Sequence, residues 1–176
     1  MSSILTRLAL EDYLALPETN VPTEVVDGVL VVSAFANARH QRAARRLAMA
    51  LTGACPPEFE VLGPIEWLLR TDPPLVRQPD LAVVTNTVAD AALPRLTSPP
   101  LLVVEILSSD SLERDLVTKP REYFAAGLGH YWVVDPDDPA IVGFEVTGPY
   151  AQAHGDQPFA VEVPFPFRVT PRDLVA

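Results

Sequence analysis

The chain has 176 residues, a formal net charge of −10 and 48% hydrophobic residues, which fits one domain, 1–176, with room for a core. This composition excludes wholesale disorder, and the acidic balance excludes a polyanion binder that works by bulk charge. A single cysteine, Cys55, excludes an internal disulfide framework and a cysteine-rich zinc site, and of 13 basic residues only Lys119 is a lysine.

Residues 10–16 have helical spacing and stop at Pro17. Residues 24–32 read as two strands joined at Asp27-Gly28, a dipeptide that supplies the positive-φ positions of a tight hairpin turn. In 39–51, Ala44, Leu47, Ala48 and Leu51 share one helical face, and His40 projects toward it one turn earlier. Arg39, Arg42, Arg45 and Arg46 lie mostly off that stripe, as a solvated face or a phosphate-contact patch. Strands are expected over 58–62, 66–70 and 81–84, and a Pro-rich connection leads to 101–107, which reads as a central strand buried on both faces. A helix over 118–126 is stopped by Gly127, and a strand over 131–134 ends at Asp135-Pro136-Asp137-Asp138. The stretches 141–146, 150–154 and 159–163 suggest an antiparallel meander before a C-terminal turn.

The 19 prolines, several in pairs such as Pro73-Pro74, read as loop punctuation. The expected fold class is α/β (α+β), a mixed β-sheet flanked by helices, with an N-terminal hairpin and a C-terminal antiparallel meander. The N-terminus lacks the charged and apolar regions of a signal peptide, and no apolar run is long enough to span a bilayer, so a soluble cytoplasmic protein is expected.

Glu105 is the sharpest anomaly, because it stands inside Leu-Leu-Val-Val-Glu-Ile-Leu. An ionised carboxylate in such a strand is costly unless it is paired or bound to a metal. Asp80 follows Pro79 where the next strand begins. If strands 81–84 and 101–107 are neighbours, Asp80 and Glu105 converge on one cleft, where two carboxylates can hold a hard divalent cation. Lys119 opens the following helix and could orient or deprotonate an attacking water or offset phosphate charge; the other reading is an ordinary surface lysine.

The ordered set of these residues resembles the restriction endonucleases of the Uma-two type, within the PD-(D/E)XK nuclease superfamily. The likeness runs from Glu24-Val-Val-Asp-Gly-Val-Leu-Val-Val-Ser33 through His40 to Arg77-Gln-Pro-Asp80-Leu-Ala-Val-Val84. Its most specific stretch is Val104-Glu105-Ile-Leu-Ser108-Ser, then Asp115, Lys119, Tyr123, Gly127 and Tyr131-Trp132-Val-Val-Asp135-Pro136. The resemblance implies a restriction-endonuclease-like core and a Mg²⁺- or Mn²⁺-dependent endonuclease acting on DNA, with a homodimer as the expected assembly. It implies that Asp80 and Glu105 are metal ligands, joined by the backbone carbonyl of Ile106. Residue 107 is leucine, and the family's displaced lysine corresponds to Lys119; Glu24 corresponds to the acidic residue of the first hairpin. The alternative is a catalytically inactive member of the fold that binds nucleic acid or protein in a mobile-element or defence system.

Pro120 departs from the family pattern. Proline is tolerated in a first helical turn, so the helix is expected to start near Thr118 or Lys119, with Thr118 as N-cap; a start near Leu112 would kink it and swing Lys119 away. Cys55 reads as a structural thiol, and His40 as either a core or a site-lining residue. His130 and His154 read as surface residues, Ser108 and Ser109 as shaping the loop after Glu105, and Asp135, Asp137 and Asp138 as a solvated turn. Tyr123, Tyr131 and Trp132 read as core or interface residues.

Overall fold

The computed structural model describes residues 7–17, 21–33, 35–91, 94–108 and 111–176. In chain order these form α1 (Leu10–Leu14), β1 (Thr23–Val26), β2 (Val29–Val32), α2 (Ala38–Ala54), β3 (Phe59–Leu62), β4 (Trp67–Thr71), β5 (Pro74–Arg77), β6 (Leu81–Thr85) and α3 (Asn86–Ala91). After these come β7 (Leu102–Ile106), α4 (Lys119–Ala125), β8 (His130–Asp135), β9 (Ala140–Glu145), β10 (Gly148–His154), β11 (Phe159–Val161) and β12 (Phe167–Val169).

The main sheet has six strands in the order β10-β9-β8-β7-β6-β3, parallel between β7 and β8 and antiparallel elsewhere. A second antiparallel sheet, β2-β1-β5-β4, stands beside it. This is the mixed α+β arrangement expected from the sequence. Beyond β10 the chain leaves the main sheet, and β11 pairs with β12 in a separate ribbon.

Every residue of β7 is buried, as its unbroken apolar character predicts. Strand alternation divides the core into two faces. Leu102, Val104 and Ile106 join Leu81 and Val83 under α2, which contributes Ala43, Leu47 and Leu51. Burying either leucine contributes about 1.5–3 kcal/mol, and Leu47→Ala would cost about 2–5 kcal/mol with its cavity. On the opposite face, Val103 joins Ala82, Val84, Tyr123, Tyr131 and Trp67. The aromatic residues 123, 131 and 132 are therefore core, with Trp132 on the α2 side.

The β1–β2 turn has Asp27 at φ 49° and Gly28 at φ 80°, the pair of left-handed residues that this hairpin requires. Residue 28 must also be small, since a Cβ there would lie 2.9 Å from the Leu8 carbonyl oxygen.

Thr118 is not an N-cap. It is helical (φ −78°, ψ −57°), makes no side-chain capping bond, and ends a π-helical turn, Arg114–Thr118, that runs directly into α4. Helical structure already begins at Leu112, yet Lys119 stays in the site. The reason is the π turn. Pro120 has no N–H and its ring crowds the carbonyl four residues back; the wider turn, in which Lys119 N–H bonds Arg114 O, absorbs this without turning Lys119 outward.

Candidate active site

Antiparallel pairing of β6 and β7 sets the geometry. The last paired residues are Leu81 and Val104, so the next step brings Asp80 opposite Glu105. Directly opposed residues share a face, with Cβ atoms about 4.5–5.5 Å apart. The Asp80 side chain replaces a strand partner: its Oδ2 accepts the Ile106 N–H at 2.8 Å and lies 3.2 Å from His40 Nε2. His40 is held there by the start of α2, where Asn37 Oδ1 accepts the N–H groups of Arg39 and His40 at 3.0 Å each.

Glu105 is buried, and its Oε1 accepts from Tyr123 Oη at 2.7 Å and Lys119 Nζ at 2.9 Å. Lys119 is itself buried, with its ammonium 3.1 Å from Asp115 Oδ1 and 3.7 Å from Glu24 Oε1. It is therefore not a surface lysine. Glu24, also buried, accepts from Arg77 Nη1 at 2.8 Å and from the Gln78 N–H at 3.2 Å. A cavity of about 460 Å³ opens on this cluster, lined by Glu24, His40, Asp80, Glu105, Arg114 and Lys119 with their neighbours.

Burial pushes the Glu105 carboxyl up to about 8, with the charges of Asp80 and Asp115 adding to the rise and Lys119 opposing it. Burial alone would lower Lys119, but Glu105, Glu24 and Asp115 outweigh it and hold the ammonium above its ordinary value. Burial alone would likewise raise Glu24, and the Lys119 and Arg77 charges hold it below the usual carboxylate value. His40 is held above its ordinary value because Asp80 overcomes the opposing effect of burial.

Among the described residues no group of three His, Cys, Asp or Glu side chains is gathered to hold a metal ion. The donor set available is narrower and harder. The bonds of Asp80 run through Oδ2 and those of Glu105 through Oε1, which leaves Oδ1 and Oε2 without a hydrogen bond among the described residues. Two such carboxylate oxygens suit a small divalent cation that keeps several waters, and a cation there would offset the charge crowding that raises Glu105. The Asp80 and Glu105 oxygens are hard donors of the kind that Mg²⁺ or Mn²⁺ takes.

The structure also places the lesser candidates of the sequence. The Ser111 hydroxyl accepts the Ser108 N–H at 3.0 Å and shapes the loop after Glu105, while Ser109 lies outside the described residues. Asp135 Oδ1 accepts the N–H groups of Asp137 and Asp138, a self-contained turn. His154 is exposed beside Asp138 and Cys55 is a free thiol at the edge of the α2 core, but His130, read as a surface residue, is largely buried, its ring edge-on to Tyr150 at 5.7 Å. The basic face of α2 is partly tied down: Arg39 pairs with Asp137 at 2.9 Å, and Arg42 and Arg46 donate to the carbonyls of Val175 and Asp173 at 3.3 and 3.0 Å. Sequence reasoning missed Arg77 and Glu122 as parts of the cluster, and it missed the hydroxyl of Tyr123 as a Glu105 partner. Two signals for Arg77 were a charge after the apolar run Pro74-Leu75-Val76 and its place at the head of the family-like stretch that ends at Asp80.

A family model described as "Uma2: Putative restriction endonuclease" matches residues 10–168, and the chain belongs to that family. Among solved structures, a putative nuclease belonging to DUF820 from Anabaena variabilis ATCC 29413 matches with a TM-score of 0.73 and 17% identity, over 96% of this chain and 97% of that one. At that identity the likeness is one of fold. No curated protein matches the chain. No helix among the described residues is long and apolar enough to cross a membrane.

Proposed function

We propose that this protein is a divalent-metal-dependent endonuclease that hydrolyses phosphodiester bonds in DNA, working as a homodimer. The observation that carries the reading is the convergence of Asp80, Glu105 and Lys119 on one cavity, with Lys119 Nζ 2.9 Å from Glu105, in a chain of a nuclease family. Asp80 and Glu105 hold Mg²⁺ or Mn²⁺ through their side chains, and the Ile106 backbone carbonyl adds a ligand. When bound, such a cation polarises a phosphoryl oxygen and makes water a better nucleophile. Lys119, kept protonated by its carboxylates, offsets the charge that builds on the phosphate and is a poor proton acceptor. Glu24 orients Lys119, and His40 steadies Asp80.

A second reading is favoured by one observation. Lys119 is already enclosed by three carboxylates, and an inactive member of the fold that binds nucleic acid or protein would need no free catalytic ammonium. Incubating plasmid DNA with the protein and Mg²⁺ or Mn²⁺ decides between them. Nicking or linearisation by wild type and not by Asp80→Ala supports the nuclease; no cleavage of DNA or RNA, with wild type equal to Asp80→Ala, overturns it.

A further inference from the structure

We propose that Arg77 is a positioning residue that sets the place of Lys119 by tying three separate elements together; its kinetic consequence rests on the nuclease reading, its structural consequence does not. Arg77 ends β5, three residues before Asp80, and is 2% exposed. Its guanidinium divides its donors between two carboxylates. Nη1 reaches Glu24 Oε2 at 2.8 Å, while Nε and Nη2 grip Glu122 Oε2 and Oε1 at 2.7 and 2.9 Å. Glu24 belongs to β1 and Glu122 to α4, so one side chain joins the hairpin wall, the helix that carries Lys119, and the connector that carries Asp80.

Lys119 is reached from Arg77 by two routes. Through β1, Glu24 turns one oxygen to Arg77 and the other to Lys119 at 3.7 Å. Through α4, Glu122 stands less than one turn beyond Lys119 and beside Tyr123, whose hydroxyl holds Glu105. The cavity wall is formed by Glu24, Gln78 and Lys119 rather than by Arg77, so Arg77 acts through other groups. A planar fork gives two parallel bonds to Glu122 and a third to Glu24, and a lysine ammonium cannot reproduce that parallel pair.

The test uses a property of the composition. Lys119 is the only lysine, so protein grown on lysine labelled with ¹³C at the ε carbon gives a single lysine side-chain resonance. Arg77→Gln and Glu122→Gln should both move that resonance, although neither residue is an ion-pair partner of Lys119 among the described residues. Glu122 is only partly buried and its amide keeps one acceptor for Arg77, so Glu122→Gln keeps its fold and supplies the answer if Arg77→Gln does not fold. In plasmid cleavage, Arg77→Gln should lower kcat about a hundredfold with KM for DNA little changed, as for a small displacement of a reacting group. Arg77→Lys, which keeps the charge without the fork, should fail to restore kcat. A folded Glu122→Gln whose lysine resonance coincides with wild type, or full kcat in Arg77→Lys, overturns the proposal. If wild type cleaves nothing, the nuclease reading fails and the lysine resonance alone decides the role of Arg77.

Discussion

Asp80 lies opposite Glu105, one step past the Leu81–Val104 pair, and bonds the Ile106 N–H in place of a strand neighbour. Their separation is set by backbone pairing, so amide substitutions should leave the fold in place. A glutamine at 105 still offers an oxygen to Tyr123 and Lys119. The melting temperature of wild type should rise with Mg²⁺ or Mn²⁺, by about 2.7 kcal/mol of stability at a hundredfold excess over Kd. Asp80→Asn and Glu105→Gln should show no such rise by calorimetry; equal shifts in wild type and variants would remove both carboxylates from the binding set.

Lys119→Met removes the ammonium from among Glu105, Asp115 and Glu24. Stranding buried carboxylates without their cation typically costs about 3–5 kcal/mol. Urea unfolding should show a loss of that size, whereas a change near zero would place Lys119 in solvent.

Gly63 is required by contact with the site. A Cβ there would lie 2.2 Å from the Asp80 carbonyl oxygen and 2.9 Å from Leu81 Cδ2. Gly63→Ala should cost at least about 1–3 kcal/mol through overpacking and should weaken cation binding as Asp80 moves. Gly53, inside α2 with nothing within 4 Å, is the control: Gly53→Ala should stabilise by about 0.4–1 kcal/mol. Thermal melts of the two variants should move in opposite directions.

Glu24 gives the acid limb of stability a definite sign. Its folded value lies below its ordinary 4.5, because Lys119 and Arg77 overcome the effect of burial. Above pH 4.5 the unfolded carboxylate is ionised too, and the stabilising contribution is fully present; it is lost as pH falls through the depressed folded value. Glu24→Gln should be less stable at pH 7 and should lose less on acidification, measured as unfolding free energy between pH 7 and pH 3.

The Asp80–Glu105 pairing was legible because strand alternation and an odd charge in an apolar strand are local signals. The Asp27-Gly28 turn was legible for the same reason. The brace at Arg77 was not, because Pro73-Pro74 reads as a loop; Pro74 instead opens β5, a strand position that tolerates proline. Helix α3 was hidden because 86–91 has no buried stripe, and β12 because it is only three residues long. The π turn before α4 compensates for one proline through backbone bonding, which no residue pattern announces. Tyr123 was read by its ring, which does stack on Trp67 at 5.4 Å, while its hydroxyl does the orienting.

The ties between α2 and the C-terminal turn bear on how a nucleic acid would arrive. With Arg42 and Arg46 donating to Val175 and Asp173 carbonyls, and Arg39 paired with Asp137, three of the α2 arginines have donors already engaged at the surface of a molecule of net charge −10. A polyanion then meets repulsion once it comes within roughly one Debye length, about 8 Å at physiological ionic strength, because charges farther apart are screened. Moderate salt, which slows most protein–DNA encounters, should therefore quicken this one, and docking would be decided by the few groups at the cavity rim rather than by long-range steering.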